Sequence, residues 1–173
     1  MNKIFITAIA LCSLQSYAGS DTAPLWLNHP AISPDGKTVA FSYKGDIYTV
    51  PTNGGEARPI TSNSAYDSYP VWSPDGKTIA FASDRDGTGL DVYAIPAQGG
   101  RAVRLTTAGG NETPKGFLND STVLFSANIM PSTNIRSYVG AQLYSVPLCA
   151  GVRPHMVLPF PAGAVDVDAS GRM

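Results

Sequence analysis

The chain has 173 residues, 43% of them hydrophobic and 14% charged, and a formal net charge of -1. That balance excludes a charged disordered tail, and the absence of any Lys/Arg cluster excludes nucleic acid and an anionic lipid surface as main partners. Two cysteines and two histidines leave little for a disulfide framework or a metal centre.

The first predicted element is an export signal. Lys3 precedes a mostly apolar run over residues 4–14, and the small residues Ser16 and Ala18 follow it. These are the three parts of a secretory signal peptide, predicted over residues 1–18 with cleavage after Ala18, which places the mature chain in the periplasm or at the cell surface. The run falls short of the roughly 20 residues a bilayer crossing needs, so no membrane span is expected. Leu11 is bulky where a lipid-modified Cys12 would want a small neighbour. Loss of Cys12 leaves Cys149 alone, as a small buried or loop residue, so packing rather than a disulfide has to hold the mature chain together.

Next comes a repeat. Residues 30–41 read Pro-Ala-Ile-Ser-Pro-Asp-Gly-Lys-Thr-Val-Ala-Phe and residues 70–81 read Pro-Val-Trp-Ser-Pro-Asp-Gly-Lys-Thr-Ile-Ala-Phe. Nine of these twelve positions are identical and the other three are apolar in both copies. The second half, Asp46-Ile47-Tyr48 with Gly54-Gly55, returns as Asp91-Val92-Tyr93 with Gly99-Gly100, after an insertion around residues 84–90. A degraded third copy starts at Pro114 and keeps Thr122-Val123-Leu124-Phe125 and Leu143-Tyr144-Ser145-Val146-Pro147.

Each unit predicts four strands. In the second copy these are residues 71–73, a Pro-Asp-Gly turn, residues 77–82, residues 91–96, a Gly-Gly turn and residues 102–106. Alternation in the third strand puts Val92, Ala94 and Pro96 on one face and Tyr93 and Ile95 on the other. No window after residue 20 carries a helical apolar period, so the fold class is all-β. A four-stranded antiparallel unit of about forty residues buries its faces by stacking radially on copies of itself, as the blades of a β-propeller do. The blades fall at about residues 30–69, 70–113 and 114–163. Residues 164–173 begin a fourth, with Asp168 to Arg172 aligned to Ser33 to Lys37. About three blades make an incomplete ring, because propellers usually take four to eight. The expectation is therefore an N-terminal segment of a longer exported protein, with the rest of the parent chain needed to close the ring.

The Ser-Pro-Asp-Gly-Lys turn, the apolar-Ala-Phe strand, Asp-apolar-Tyr, Gly-Gly and the closing Ile60-Thr61 or Leu105-Thr106 resemble the WD-like blade of TolB-type propellers. Residues 42–48 and 69–85 resemble more narrowly the N-terminal propeller of bacterial tricorn-type serine peptidases. That resemblance spans roughly residues 25–173. It implies a parent protein that hydrolyses peptides with a serine nucleophile in a C-terminal catalytic region, and a propeller that serves as scaffold or substrate gate. The blade motif by itself fits equally a non-catalytic TolB-like module that binds partner proteins. It also fits the propeller of an exported prolyl-oligopeptidase-type or amidohydrolase enzyme.

No catalytic, cofactor-binding or metal-binding residue is predicted within the chain. His29 lies before the first repeat and His155 in a Pro-rich stretch, and no Gly-x-Ser-x-Gly elbow accompanies either. Asp84, Asp86 and Asp91 lack the alternating ligand spacing of a calcium loop and read as a polar hairpin. Asp35 and Asp75 sit in Pro-Asp-Gly turns, where a carboxylate caps local backbone amides. The long connection over residues 128–140, with Met130, Ile135 and Tyr138, is the first place to look for a binding surface. Expected partners are a peptide or a protein.

Overall fold

The computed structural model describes residues 26–128 and 140–161 together with Val165 and Val167. The predicted signal peptide, nearly all of the 128–140 connection and nearly all of the predicted fourth blade lie outside these. Among the described residues every regular element is a strand, and no helix is long and apolar enough to cross a membrane.

The described residues form twelve strands in three four-stranded antiparallel sheets. The first holds β1 (Asn28–Ile32), β2 (Thr38–Tyr43), β3 (Asp46–Pro51) and β4 (Arg58–Pro59). The second holds β5 (Asp67–Trp72), β6 (Thr78–Ser83), β7 (Asp91–Pro96) and β8 (Val103–Arg104). The third holds β9 (Thr113–Asn119), β10 (Thr122–Ala127), β11 (Gln142–Pro147) and β12 (His155–Pro161). Strands follow one another in sequence order across each sheet. The first strands of successive sheets approach one another, β1 with β5 and β5 with β9, so they form the inner edge of an arc of propeller blades.

The inner strands start ahead of the repeated Pro30 and Pro70, because a bulge bends each of them. The register slips between Asn28 and Ala31 in β1 and between Ser68 and Val71 in β5. The fourth strand, expected over residues 102–106, has only Val103–Arg104 in the ladder. Beyond it the Leu105 amide still donates to the Val92 carbonyl at 2.8 Å, and the Thr106 hydroxyl accepts from the Val92 amide at 2.8 Å. The first blade repeats this closure: Ile60 N donates to Ile47 O at 2.7 Å and Thr61 Oγ1 accepts from Ile47 N at 2.9 Å. The closing Ile/Leu-Thr of the repeat is thus a side-chain clamp that takes over where the strand ladder stops.

The repeated Ser-Pro-Asp-Gly-Lys turn has the same hydrogen bonds in both copies. Ser33 Oγ accepts from Thr38 N (3.0 Å) and donates to Asp35 Oδ1 (2.6 Å), which also accepts from Lys37 N (3.1 Å). Ser73, Asp75, Lys77 and Thr78 repeat the set at 2.9, 2.7 and 3.0 Å. Gly36 and Gly76, at φ of 70° and 68°, supply the left-handed residue the turn needs. In the third blade Asn119 Oδ1 takes over the capping role by accepting from the Ser121 amide and hydroxyl.

Packing runs between blades. Ala40, Ile47 and Ile60 of the first blade cluster with Ile79, Phe81, Tyr93 and Ile95 of the second. Ala80, Val92, Ala94 and Leu105 of the second cluster in turn with Phe117, Val123, Phe125, Tyr144 and Val146 of the third. The third strand β7 therefore divides as its alternation requires, Val92 and Ala94 toward the third blade and Tyr93 and Ile95 toward the first. Each blade offers a face of small and branched residues forward and a face carrying a stacked Phe/Tyr pair backward. Those pairs are Phe41–Tyr48, Phe81–Tyr93 and Phe125–Tyr144, all cross-strand partners with ring centroids 5.9, 5.9 and 5.7 Å apart. Phe81 and Phe125 are fully buried, and each stabilises the arc by about 2–3 kcal/mol.

Candidate functional site

The backward face of the first blade is open. Val39, Phe41, Tyr48 and Val50 occupy the positions of Ile79, Phe81, Tyr93 and Ile95, which the preceding blade covers. With Leu27, Pro30 and Tyr43 they line a groove of about 660 Å³. Its lining is mostly apolar and aromatic, the chemistry of an interface.

A second cleft, of about 680 Å³, lies between the Ser-Pro-Asp-Gly turns of the first two blades and is lined by Asp35, Asp75, Glu56, Arg58, Trp72 and Gln98, among others. Here the blades are tied together. Trp72 Nε1 donates to Ala31 O at 3.0 Å and Arg58 Nη2 donates to Gln98 O. Asp75 N donates to Asp120 Oδ1 at 2.9 Å, carrying the tie on to the third blade. The carboxyls of Asp35 and Asp75 are held below the ordinary range chiefly by the hydroxyls of Ser33 and Ser73, then by the Lys37 and Lys77 amides. These two acids are turn caps on separate blades.

The inner edge carries a feature the sequence hides. His29 and Tyr69 both take positive φ, 52° and 53°, at the bulges of β1 and β5, although each precedes a proline. Their rings lie against each other with centroids 3.7 Å apart. His29 Nδ1 is buried without a hydrogen-bond partner, and desolvation lowers its pKa. The only trace in the sequence is the matching X-Pro at residues 29–30 and 69–70. His155 opens β12, on the outer edge of the third blade, far from His29 in the sheet order. The described part of the chain does not bring the two together.

The remaining candidates are likewise engaged by the protein itself. Asp84 Oδ1 accepts from Tyr66 N at 2.7 Å, and Asp86 Oδ2 accepts from Tyr93 Oη at 2.8 Å and pairs with Arg104 Nη1 at 2.7 Å. Burial first, and then the bond to Asp86, push Tyr93 up to about 12. Arg104 Nη2 also pairs with Asp91 Oδ2 at 2.7 Å. Buried Asp67 pairs with Arg85 Nη2 at 2.8 Å, and that guanidinium lies over the Phe81 and Tyr93 rings. Cys149 is exposed and free. Among the described residues no three His, Cys, Asp or Glu side chains converge on a metal-sized site.

A model of the tricorn protease N-terminal β-propeller domain matches residues 20–172. The chain belongs to this family. It is 34% identical over 145 residues to tricorn protease homolog 1 of Streptomyces coelicolor, a match covering 83% of this chain and 13% of that protein. Among solved structures, a TolB-type protein of Agrobacterium tumefaciens superimposes with a TM-score of 0.65 at 20% identity, over 79% of this chain and 50% of that one. The tricorn protease itself superimposes with a TM-score of 0.54 at 18% identity, over 73% and 14%. The chain thus spans a small part of the tricorn-type relatives it matches, and at these identities the structural likenesses speak for the fold alone. A tricorn-type propeller accounts for the stacked blades and for an interface-like open face.

Proposed function

We propose that this tricorn-type propeller works within an exported serine peptidase, as a scaffold and gate that admits peptides to a catalytic centre carried elsewhere in the protein. The observation that carries the reading is the family match, and the commitment of Asp35, Asp67, Asp75, Asp84 and Asp86 to turn caps and ion pairs of the fold supports an architectural role for this segment. The open face of the first blade is then covered by another blade of the same protein. Its partner is a forward face of the Ala40-Ile47-Ile60 kind, since that is what covers the equivalent Phe/Tyr pair in the second blade. A TolB-like module that binds partner proteins without catalysis is the second reading, favoured by the mostly apolar open face of the first blade.

The experiment is to express the whole gene product that carries these blades, separate secreted, periplasmic and cytoplasmic fractions, and assay peptide hydrolysis with and without a serine-directed inhibitor. The expected result is inhibitor-sensitive turnover in the exported fraction, none from the 173-residue chain alone, and altered peptide-length selectivity when residues 26–161 are deleted. A whole protein that is exported and hydrolyses no peptide overturns the peptidase reading in favour of the binding module.

A further inference from the structure

Two acids meet at the seam between the second and third blades. Asp91 opens β7, and Glu112 is the last residue before β9, where the chain enters the third blade. The Glu112 amide donates to Leu90 O at 2.7 Å, pinning that entry to the start of β7. Asp91 is 1% exposed and Glu112 is fully buried.

Their surroundings leave the pair one proton short of balance. Arg104 from β8 is the cation acting on Asp91, and it serves both Asp91 Oδ2 and Asp86 Oδ2, each at 2.7 Å. One guanidinium therefore serves two carboxyls, with Glu112 beside Asp91 as a third acid. Asp86, 44% exposed, keeps its charge in contact with water, while Asp91 and Glu112 have none. Asp91 Oδ1 and both Glu112 carboxyl oxygens are buried with no donor in hydrogen-bonding geometry. The other groups facing Glu112 are the Thr106 hydroxyl, which accepts from Val92 N and keeps its own proton to donate, and the Ala108 main chain; both favour the ionised carboxylate, and burial, the largest effect, opposes them. Asp67 holds the same place at the start of the second blade, where its own amide donates to Gly45 O, but it has Arg85 beside it. Glu112 has no such cation.

We propose that Asp91 and Glu112 share one proton across this seam, Glu112 donating to the free oxygen of Asp91, and that loss of the proton as pH rises loosens the third blade from the second. Desolvation, the largest effect on both, raises the two carboxyls, in agreement with this. The sign follows from linkage. An acid raised on folding holds its proton longer folded than unfolded, so stability falls as pH climbs from the ordinary carboxyl range through the raised value.

The test is denaturant unfolding of the 173-residue protein and of Glu112→Gln, whose amide keeps the donor but cannot ionise, at steps between about pH 5 and 8. The unfolding constant of the wild type should rise relative to the variant by about tenfold per pH unit, then level off, with faster exchange of the Glu112 and Leu105 amides. Parallel pH profiles for the two proteins overturn the proposal. If the variant does not fold, carboxyl-carbon NMR of the wild type decides: Glu112 still protonated at about pH 6 supports the shared proton, and ordinary titration below about pH 5 overturns it.

Discussion

Single residues in this protein are mostly committed to closing the backbone. Ser33 and Ser73 each bridge a turn by accepting from a threonine amide and donating to an aspartate, so Asp35 and Asp75 are most useful when ionised. Their carboxyls are lowered, so the stabilisation they give is full above the ordinary value of 3.8 and is lost as pH falls below it. Acid unfolding should therefore be less steep in Asp35→Asn/Asp75→Asn than in the wild type, as followed by circular dichroism between about pH 5 and 2. Asp91 and Glu112 act with the opposite sign, on the alkaline side of the same range. The turn acids are readable from Pro-Asp-Gly because their partners are two residues away. The burial of Glu112 is not, because it depends on a strand from another blade.

At the scale of the element, hairpins and bulges decide where side chains point. Lys44-Gly45 joins β2 to β3 with both residues at positive φ, 51° and 92°, the mark of a tight two-residue hairpin. Glycines differ sharply in what they tolerate. At Gly36 nothing lies within 4 Å of an added Cβ, whereas at Gly89 that atom would sit 2.4 Å from Gly110 O with φ at 127°. Gly36→Ala should cost about 1 kcal/mol and Gly89→Ala about 3 kcal/mol or more, measured as the shift in urea midpoint at constant slope. Alternation and turn chemistry predicted the strands themselves. The bulges at His29 and Tyr69 escaped, since a histidine or tyrosine in left-handed conformation before proline runs against local preference and is held there by the neighbouring blade.

For the whole molecule, the same repeat position has different consequences in different blades. Tyr48, Tyr93 and Tyr144 are equivalent, yet Tyr93 and Tyr144 are buried between blades while Tyr48 lines the open groove. Tyr48→Lys should cost no more than about 1 kcal/mol and should reduce binding of a hydrophobic dye such as ANS. Tyr93→Lys, which buries a cation in the first seam, should cost roughly 3–5 kcal/mol or prevent folding. Equal effects of the two changes, read by thermal melting and dye fluorescence, would show that the first blade's face is covered in the isolated chain.

The repeat of residues 30–41 at 70–81, with strand-like alternation and no helical period, was enough without coordinates to determine an all-β chain of stacked blades, and residues 42–48 and 69–85 pointed to the tricorn-type family. Strand pattern and turn residues are local, so one repeat reports them as well as three. Which faces meet, which acids lose their water and which aromatic pair stays open were decided only by the tertiary structure. Those properties belong to pairs of blades, and no spacing within a single unit encodes the burial that a neighbouring unit imposes.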